Sequence, residues 1–130
     1  MTVDRDEILD PVEQIVSEDP TYGRDAYYFV LAVVEATISR LPARRHICGR
    51  ELLDSIREFG LARFGLMTKT VFDHWGVRCT EDFGRIVFRL VDARLLSKTP
   101  EDSIGDFKGV FDFDEAFVAG VPWNRSEWDV

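Results

Sequence analysis

The sequence predicts a mainly α-helical single domain of about five helices with a minor β element. Apolar residues recur at the 3.6-residue spacing of a buried helix face in five separate stretches. Each stretch is bounded by glycine, proline or a hydroxyl or acidic residue suited to a helix end. Only residues 45–48 and 108–114 read as extended. Residues 1–119 are expected to form the helical domain, and residues 120–130 a C-terminal tail.

A first helix is expected over 4–18, with Ile8, Val12, Ile15 and Val16 on one face. Asp10-Pro11 with Glu13 offers a later start, as cap, first helical residue and third-position acid. Residues 17–24 (SEDPTYGR) break the pattern. The second helix, 25–41, carries a stripe of Ala26, Phe29, Val30, Val33, Thr37 and Ile38. Tyr27, Leu31 and Val34 widen that stripe to nearly all faces, which marks a central helix. Pro42 ends it.

The third helix is expected over 49–64, with Leu52, Ile56, Phe59 and Ala62 inward and Gly65 as its stop. A shorter helix, 66–75, ends similarly at Gly76. The fifth begins at Thr80 as N-cap, with Glu81 and Asp82 placing negative charge at the positive end of the helix dipole. Phe83, Ile86, Val87, Leu90, Val91 and Leu95 follow at helical spacing. Gly84 lies inside it at a cost of about 1 kcal/mol relative to alanine, so a close approach of another element is expected there. Thr99-Pro100-Glu101-Asp102 reads as a further cap and first turn. The core is expected to contain Phe29, Val33, Leu52, Ile56, Phe83, Val87, Leu90 and Val91, with Trp75 closing it from the side.

The chain of 130 residues carries a formal charge of −8. Residues 49–98 hold 9 basic and 7 acidic side chains, between two acidic ends. A nucleic-acid binder needs a net positive face to displace counterions, and only this middle could supply one. No apolar run reaches the roughly 18 residues of a membrane span, and MTVDRDEILD lacks the apolar core of a signal peptide. Two cysteines make no disulfide framework, so a cytoplasmic location with reduced thiols is expected.

The segments HxxGRELL, RxFGL, HWGV, TEDFGRIVFRLV, LLSKTPEDS and FDFDEAF, together spanning about residues 25–117, resemble the Minf-type family of uncharacterised bacterial proteins. TEDFGRIVF after HWGV is the most specific part. The resemblance implies a fold but no activity, cofactor or catalytic residue. In that family's pattern a small hydroxyl residue often stands where this chain has Cys48, which argues against an essential thiol there.

His46, Cys48, His74 and Cys79 are all the histidines and cysteines. Zinc accepts two of each, but His-x-Cys and His-x4-Cys are unlike the usual ligand spacings. Surface histidines and small apolar cysteines are the simpler reading. Cys48 with His46 could form a nucleophile and base on one face of an extended segment, though nothing supplies an oxyanion hole. Glu81, Asp82, Asp102, Asp106, Asp112 and Asp114 have no calcium-loop spacing, so capping and solvation are expected of them. No phosphate-binding glycine loop, nucleophile elbow or HExxH motif occurs. No cofactor and no catalytic residue are expected.

The helices 66–75 and 80 onward outline a helix-turn-helix. With short strands at 45–48 and 108–114 the second half would be winged-helix-like, and Arg78, Arg85, Arg89, Arg94 and Lys98 would form its exposed basic row. Acids at 101–106 would repel phosphate where a wing should meet it. The preferred expectation is therefore a non-enzymatic protein-interaction module. Its partner would be an unknown protein or a second copy, and Trp123 and Trp128 in the tail its anchors. A winged-helix nucleic-acid binder is the alternative, and a small metal-dependent or cysteine enzyme the second.

Overall fold

Residues 2–3 and 9–119 are described by the structure, a computed structural model. Along the chain lie β1 (Thr2–Val3), α1 (Leu9–Glu18), α2 (Arg24–Ser39), α3 (Gly49–Phe64), a 3-10 turn (Gly65–Met67), α4 (Thr68–His74) and α5 (Thr80–Asp92). β2 (Leu96–Ser97), a second 3-10 turn (Ile104–Phe107) and a π-helical turn (Glu115–Ala119) complete the described chain. The fold is mainly α, as its periodicity implies.

α2 is buried on most sides: Ala26, Tyr27, Val30, Leu31, Val33, Val34 and Ile38 are all in the core. It packs against α1, α3 and α5. α5 is the second internal helix, with Phe83, Gly84, Ile86, Val87 and Leu90 buried and only Arg85 and Asp92 exposed along it. Of the expected core, Val33, Leu52, Ile56, Phe83, Val87 and Leu90 are buried, while Phe29 and Val91 pack at its edge. Trp75 closes the side, 5.4 Å between ring centres from Phe29 and 5.5 Å from Phe72. Phe72 also meets Phe83 at 5.1 Å and Phe117 at 5.2 Å, so one ring ties α4 to α5 and to the last turn.

The helix ends follow from local chemistry. α4 and α5 each finish in a Schellman arrangement. In α4 the Val77 N–H donates to the Phe72 carbonyl and Gly76 has φ 87°. In α5 the Leu95 N–H donates to Leu90, and Arg94 takes the left-handed position at φ 65°. Gly76 also lets two loops touch: a Cβ there would lie 2.5 Å from the Thr21 carbonyl oxygen. The Gly23 N–H donates to the Trp75 carbonyl across the same junction, at 3.0 Å.

Gly84 has the expected close neighbour, but it is a turn and not a helix. A Cβ at Gly84 would meet the Phe107 Cβ at 2.8 Å, and one at Gly49 would meet the far edge of the same ring at 3.0 Å. The two glycines thus form a slot between α3 and α5 into which the Ile104–Phe107 turn inserts its phenylalanine.

Two expectations are corrected. The β element is not at 45–48 or 108–114. It is an antiparallel pair of β1 with β2, Thr2 opposite Ser97 and Val3 opposite Leu96. At 109–110 the backbone N–H groups of Gly109 and Val110 are bound at 3.2 Å by the Glu81 carboxylate and the Thr80 hydroxyl. Backbone donors spent on the start of α5 cannot build a return strand, so residues 108–114 form no wing. Thr80 is accordingly the first helical residue of α5 and Cys79 its N-cap. The second correction lies at 99–102, where Asp102 closes a turn on the Thr99 N–H at 2.9 Å and starts no helix. The helical turn begins at Ile104, capped by Ser103 and Asp106.

Candidate functional site

The densest polar constellation surrounds Asp82, which is buried in the first turn of α5. One carboxylate oxygen accepts from the Tyr22 hydroxyl at 2.5 Å and from Arg85 at 2.7 Å. The other accepts from the Arg78 backbone N–H at 2.9 Å and from the Cys79 thiol at 3.4 Å. Burial pushes the Asp82 carboxyl up, but these donors outweigh it and hold it below its ordinary value. Burial, then the bond to Asp82, pushes Tyr22 up to about 12. Burial also raises the Cys79 thiol, which keeps it protonated and poorly nucleophilic. The constellation ties Tyr22, just before α2, to the start of α5, and each Asp82 oxygen accepts two bonds. Among the described residues no buried side-chain polar atom lacks a hydrogen-bond partner.

Of the expected basic row, Arg78, Arg85, Arg94 and Lys98 are exposed and Arg89 is half-buried. Arg85 is engaged by Asp82. Arg89 donates to Asp19 at 2.7 Å and to the Tyr27 hydroxyl at 3.2 Å, and its guanidinium lies 5.2 Å over the Tyr22 ring. Arg89 thus ties α5 to Asp19 after α1 and to Tyr27 of α2, whereas Arg85 pairs within α5 itself.

The histidines and cysteines stand apart. His46 is an exposed loop residue, Cys48 caps α3, His74 ends α4 on the surface and Cys79 caps α5. Among the described residues no group of three or more His, Cys, Asp or Glu could hold a metal ion. Cys48 forms a capping box with Glu51, whose carboxylate accepts from the Cys48 N–H at 3.1 Å and pairs with Arg45 at 2.9 Å. Arg45 first, and the Cys48 N–H second, pull Glu51 down to about 2. The remaining carboxylates also serve the backbone: Glu81 takes the Gly109 N–H, Asp106 the Ser103 N–H and Asp112 the Asp114 N–H, while Asp114 pairs with Lys69 at 3.5 Å.

Two kinds of concavity remain. A cleft of ≈ 460 Å³ between α1 and α5 is lined by Gln14, Glu18, Asp19, Arg89 and Asp92. Among the described lining residues its cation, Arg89, is held by Asp19. The other is an apolar groove between α2 and α3. One part, ≈ 400 Å³, has Phe29, Val33 and Phe59 with the small residues Ala32, Ala36 and Ala62. It continues past Phe29, Ala32 and Arg63 into a second, more polar part of ≈ 450 Å³ that reaches Asp25, Tyr28, Phe64 and Trp75. Arg40 lies 4.6 Å over the Phe59 ring and Arg63 lies 5.9 Å over Phe64. Neither arginine has a carboxylate partner among the described residues. Helical periodicity placed Phe59 and Ala62 inward; in the structure Ala62 is exposed and Phe59 half-buried, because α2 and α3 diverge enough to leave them on this groove. The signal available was Ala32 and Ala36 one turn apart on a helix otherwise rich in large side chains.

Trp123 and Trp128, the expected anchors, lie outside the described residues. No family model matches the chain, and neither a curated protein nor a solved structure matches it. No helix among the described residues is long and apolar enough to cross a membrane.

Proposed function

We propose that the protein is a non-enzymatic protein-interaction module, and that it docks an aromatic, acidic peptide segment in the α2/α3 groove. The observation that carries this reading is the groove itself. Two adjoining cavities share Phe29, Ala32 and Arg63, with alanines on both walls, Arg40 over Phe59 at one end and Asp25 at the other. Small wall residues let a segment approach the helices closely, and the phenylalanines offer large contact area for an aromatic anchor. The cations select acidic flanks, and steer encounter more than they add affinity. The fold's other polar groups support the reading by being spent on caps and ties.

The test uses full-length protein and a fluorescein-labelled synthetic peptide carrying two tryptophans among glutamates. Binding is expected by fluorescence anisotropy, with at least tenfold loss on Ala62→Arg or Ala36→Arg and no change on Asp92→Ala in the α1/α5 cleft. Ala62 is exposed, so circular dichroism should remain native. Absence of binding, or binding indifferent to both alanine substitutions, overturns the reading.

A further inference from the structure

We infer that the open face of α2 is self-complementary, and that two copies of the chain pair across their α2/α3 grooves as an antiparallel, two-fold symmetric dimer. This goes beyond peptide docking and does not depend on it.

The face comes first. α2 is buried on most sides, and its open side carries Asp25, Tyr28, Phe29, Ala32, Ala36 and Arg40, each exposed or half-buried. Their spacings of three and four residues put them on one stripe. Arg40 is the C-cap, but its φ of −82° and ψ of −12° are helical, so the stripe runs on to it.

The order along that stripe is the second observation. Asp25 and Arg40 lie equally far from the point between Ala32 and Val33, and so do Phe29 and Ala36. Two α2 helices laid antiparallel about that point bring the acid of each copy to the base of the other. They also bring the ring of each copy to the alanine of the other. A two-fold contact requires this property, since one patch must fit itself.

Charge is the third. Neither Asp25 nor Arg40 has an ion-pair partner among the described residues. Arg40 is held with its guanidinium 4.6 Å over the Phe59 ring, a stacking that leaves its edge N–H groups open to a carboxylate. The groove thus carries a base at one end and an acid at the other, and suits a partner that carries both signs in the reverse order. Arg63 lines the cavity of Asp25, where it opposes the incoming cation and keeps the pairing weak.

Shape agrees. Ala32 at the axis offers only a methyl group, so the two helix axes can approach to about 8 Å. Ala36 and Ala62 leave a hollow of ≈ 400 Å³ beside Phe59, which faces Tyr28 and Phe29 of the other copy. A contact one helix long stands at the small end of specific interfaces, below about 1,200 Å², so a Kd on the order of 100 μM is expected. A seated copy covers Phe29, Ala32 and Ala36, so dimer and docked peptide exclude each other.

The test is sedimentation equilibrium of full-length protein up to about 1 mM, at about 50 mM salt, where charge pairs are little screened. Wild type is expected to dimerise. Asp25→Lys and Arg40→Glu should each weaken the dimer at least tenfold, because each sets like charges together twice. An equimolar mixture of the two single variants should recover wild-type association, since every charge then meets its opposite, and recovery also shows that both variants are folded. The double variant Asp25→Lys/Arg40→Glu should recover it too. Wild type that stays monomeric, a dimer indifferent to both substitutions, or loss without recovery in the mixture overturns the inference. The Trp/Glu peptide titrated into Asp25→Lys is the separate readout for docking: its failure to bind there overturns the docking reading and leaves the dimer standing.

Discussion

Phe107 fills the space that the missing side chain of Gly84 leaves on α5: an added Cβ would lie 2.8 Å from the Phe107 Cβ and 2.9 Å from its Cγ. The ring is fully buried, with Gly49 of α3 on its other edge and Phe88 at 6.4 Å. Gly84→Ala would gain about 1 kcal/mol of helix propensity. It would also force the root of a buried side chain to move, which costs about 1–3 kcal/mol or more because the Cβ of Phe107 cannot swing away as a flexible end could. The expected outcome is net destabilisation by urea unfolding. Gly105→Ala on the inserted turn is the contrast. Its nearest neighbour is the Ser103 Oγ at 3.5 Å, so it should be neutral or stabilising by about 0.5 kcal/mol.

Cys48 occupies a helix N-cap, a position where a hydroxyl is the better acceptor. Cys48→Ser is expected to raise stability by about 0.5–1 kcal/mol and to leave peptide binding unchanged. A loss of binding with unchanged stability would give the thiol a role that its geometry does not.

Tyr22 sets an alkaline limit. Its folded pKa is raised from 10.0 to about 12, so the unfolded chain releases the proton first. The stabilisation is complete below pH 10 and is lost as pH rises from 10 towards 12. Tyr22→Phe is expected to flatten this limb of the stability profile. It should also lower stability at pH 7 by about 1–3 kcal/mol, since buried Asp82 loses a donor.

An acid limb has the opposite sign. Glu51, held down to about 2, and Asp82, also lowered, bind protons more readily in the unfolded chain. Their contributions are present above the ordinary carboxylate range and vanish as pH falls through the folded values. Denaturant midpoints measured from pH 5 down to pH 2 should fall steadily. Glu51→Gln should remove part of that slope, but only a modest part, because the Glu51 side chain is 39% exposed and solvent screens its pair with Arg45.

Two arginines of the same sequence row should respond in opposite directions. Arg89→Ala strips buried Tyr27 of a hydrogen-bond partner and releases Asp19, and is expected to cost about 1–3 kcal/mol. Arg94→Gly relieves a left-handed backbone at φ 65° and is expected to stabilise by about 1 kcal/mol. Thermal unfolding distinguishes them. Equal, small effects would mean that Arg89 is merely a solvated surface charge.

The helices were legible in the sequence, α3 to the residue, because their causes are local: apolar spacing, a cap, a glycine that can turn left-handed. The centrality of α2 was legible too, since a helix apolar on nearly all faces has nowhere to go but inside. The groove was not: periodicity put Phe59 and Ala62 in the core, and only the packing of α2 on α3 leaves Ala62 exposed. Nor was the end of the chain's β element: Leu96 and Ser97 pair with Thr2 and Val3, partners with no local mark of each other.

What the chain determined by itself was therefore the set of helices and most of their inward faces, Ala62 of α3 excepted. What only tertiary packing decided was the use made of the polar residues between them. Arg89 and Asp19 are 70 residues apart, Tyr22 and Asp82 are 60. Burial in a mostly helical core makes an unpaired charge or hydroxyl costly, so Arg89, Asp82 and Tyr22 became ties between distant segments, while Arg78, Arg94 and Lys98 stayed at the surface.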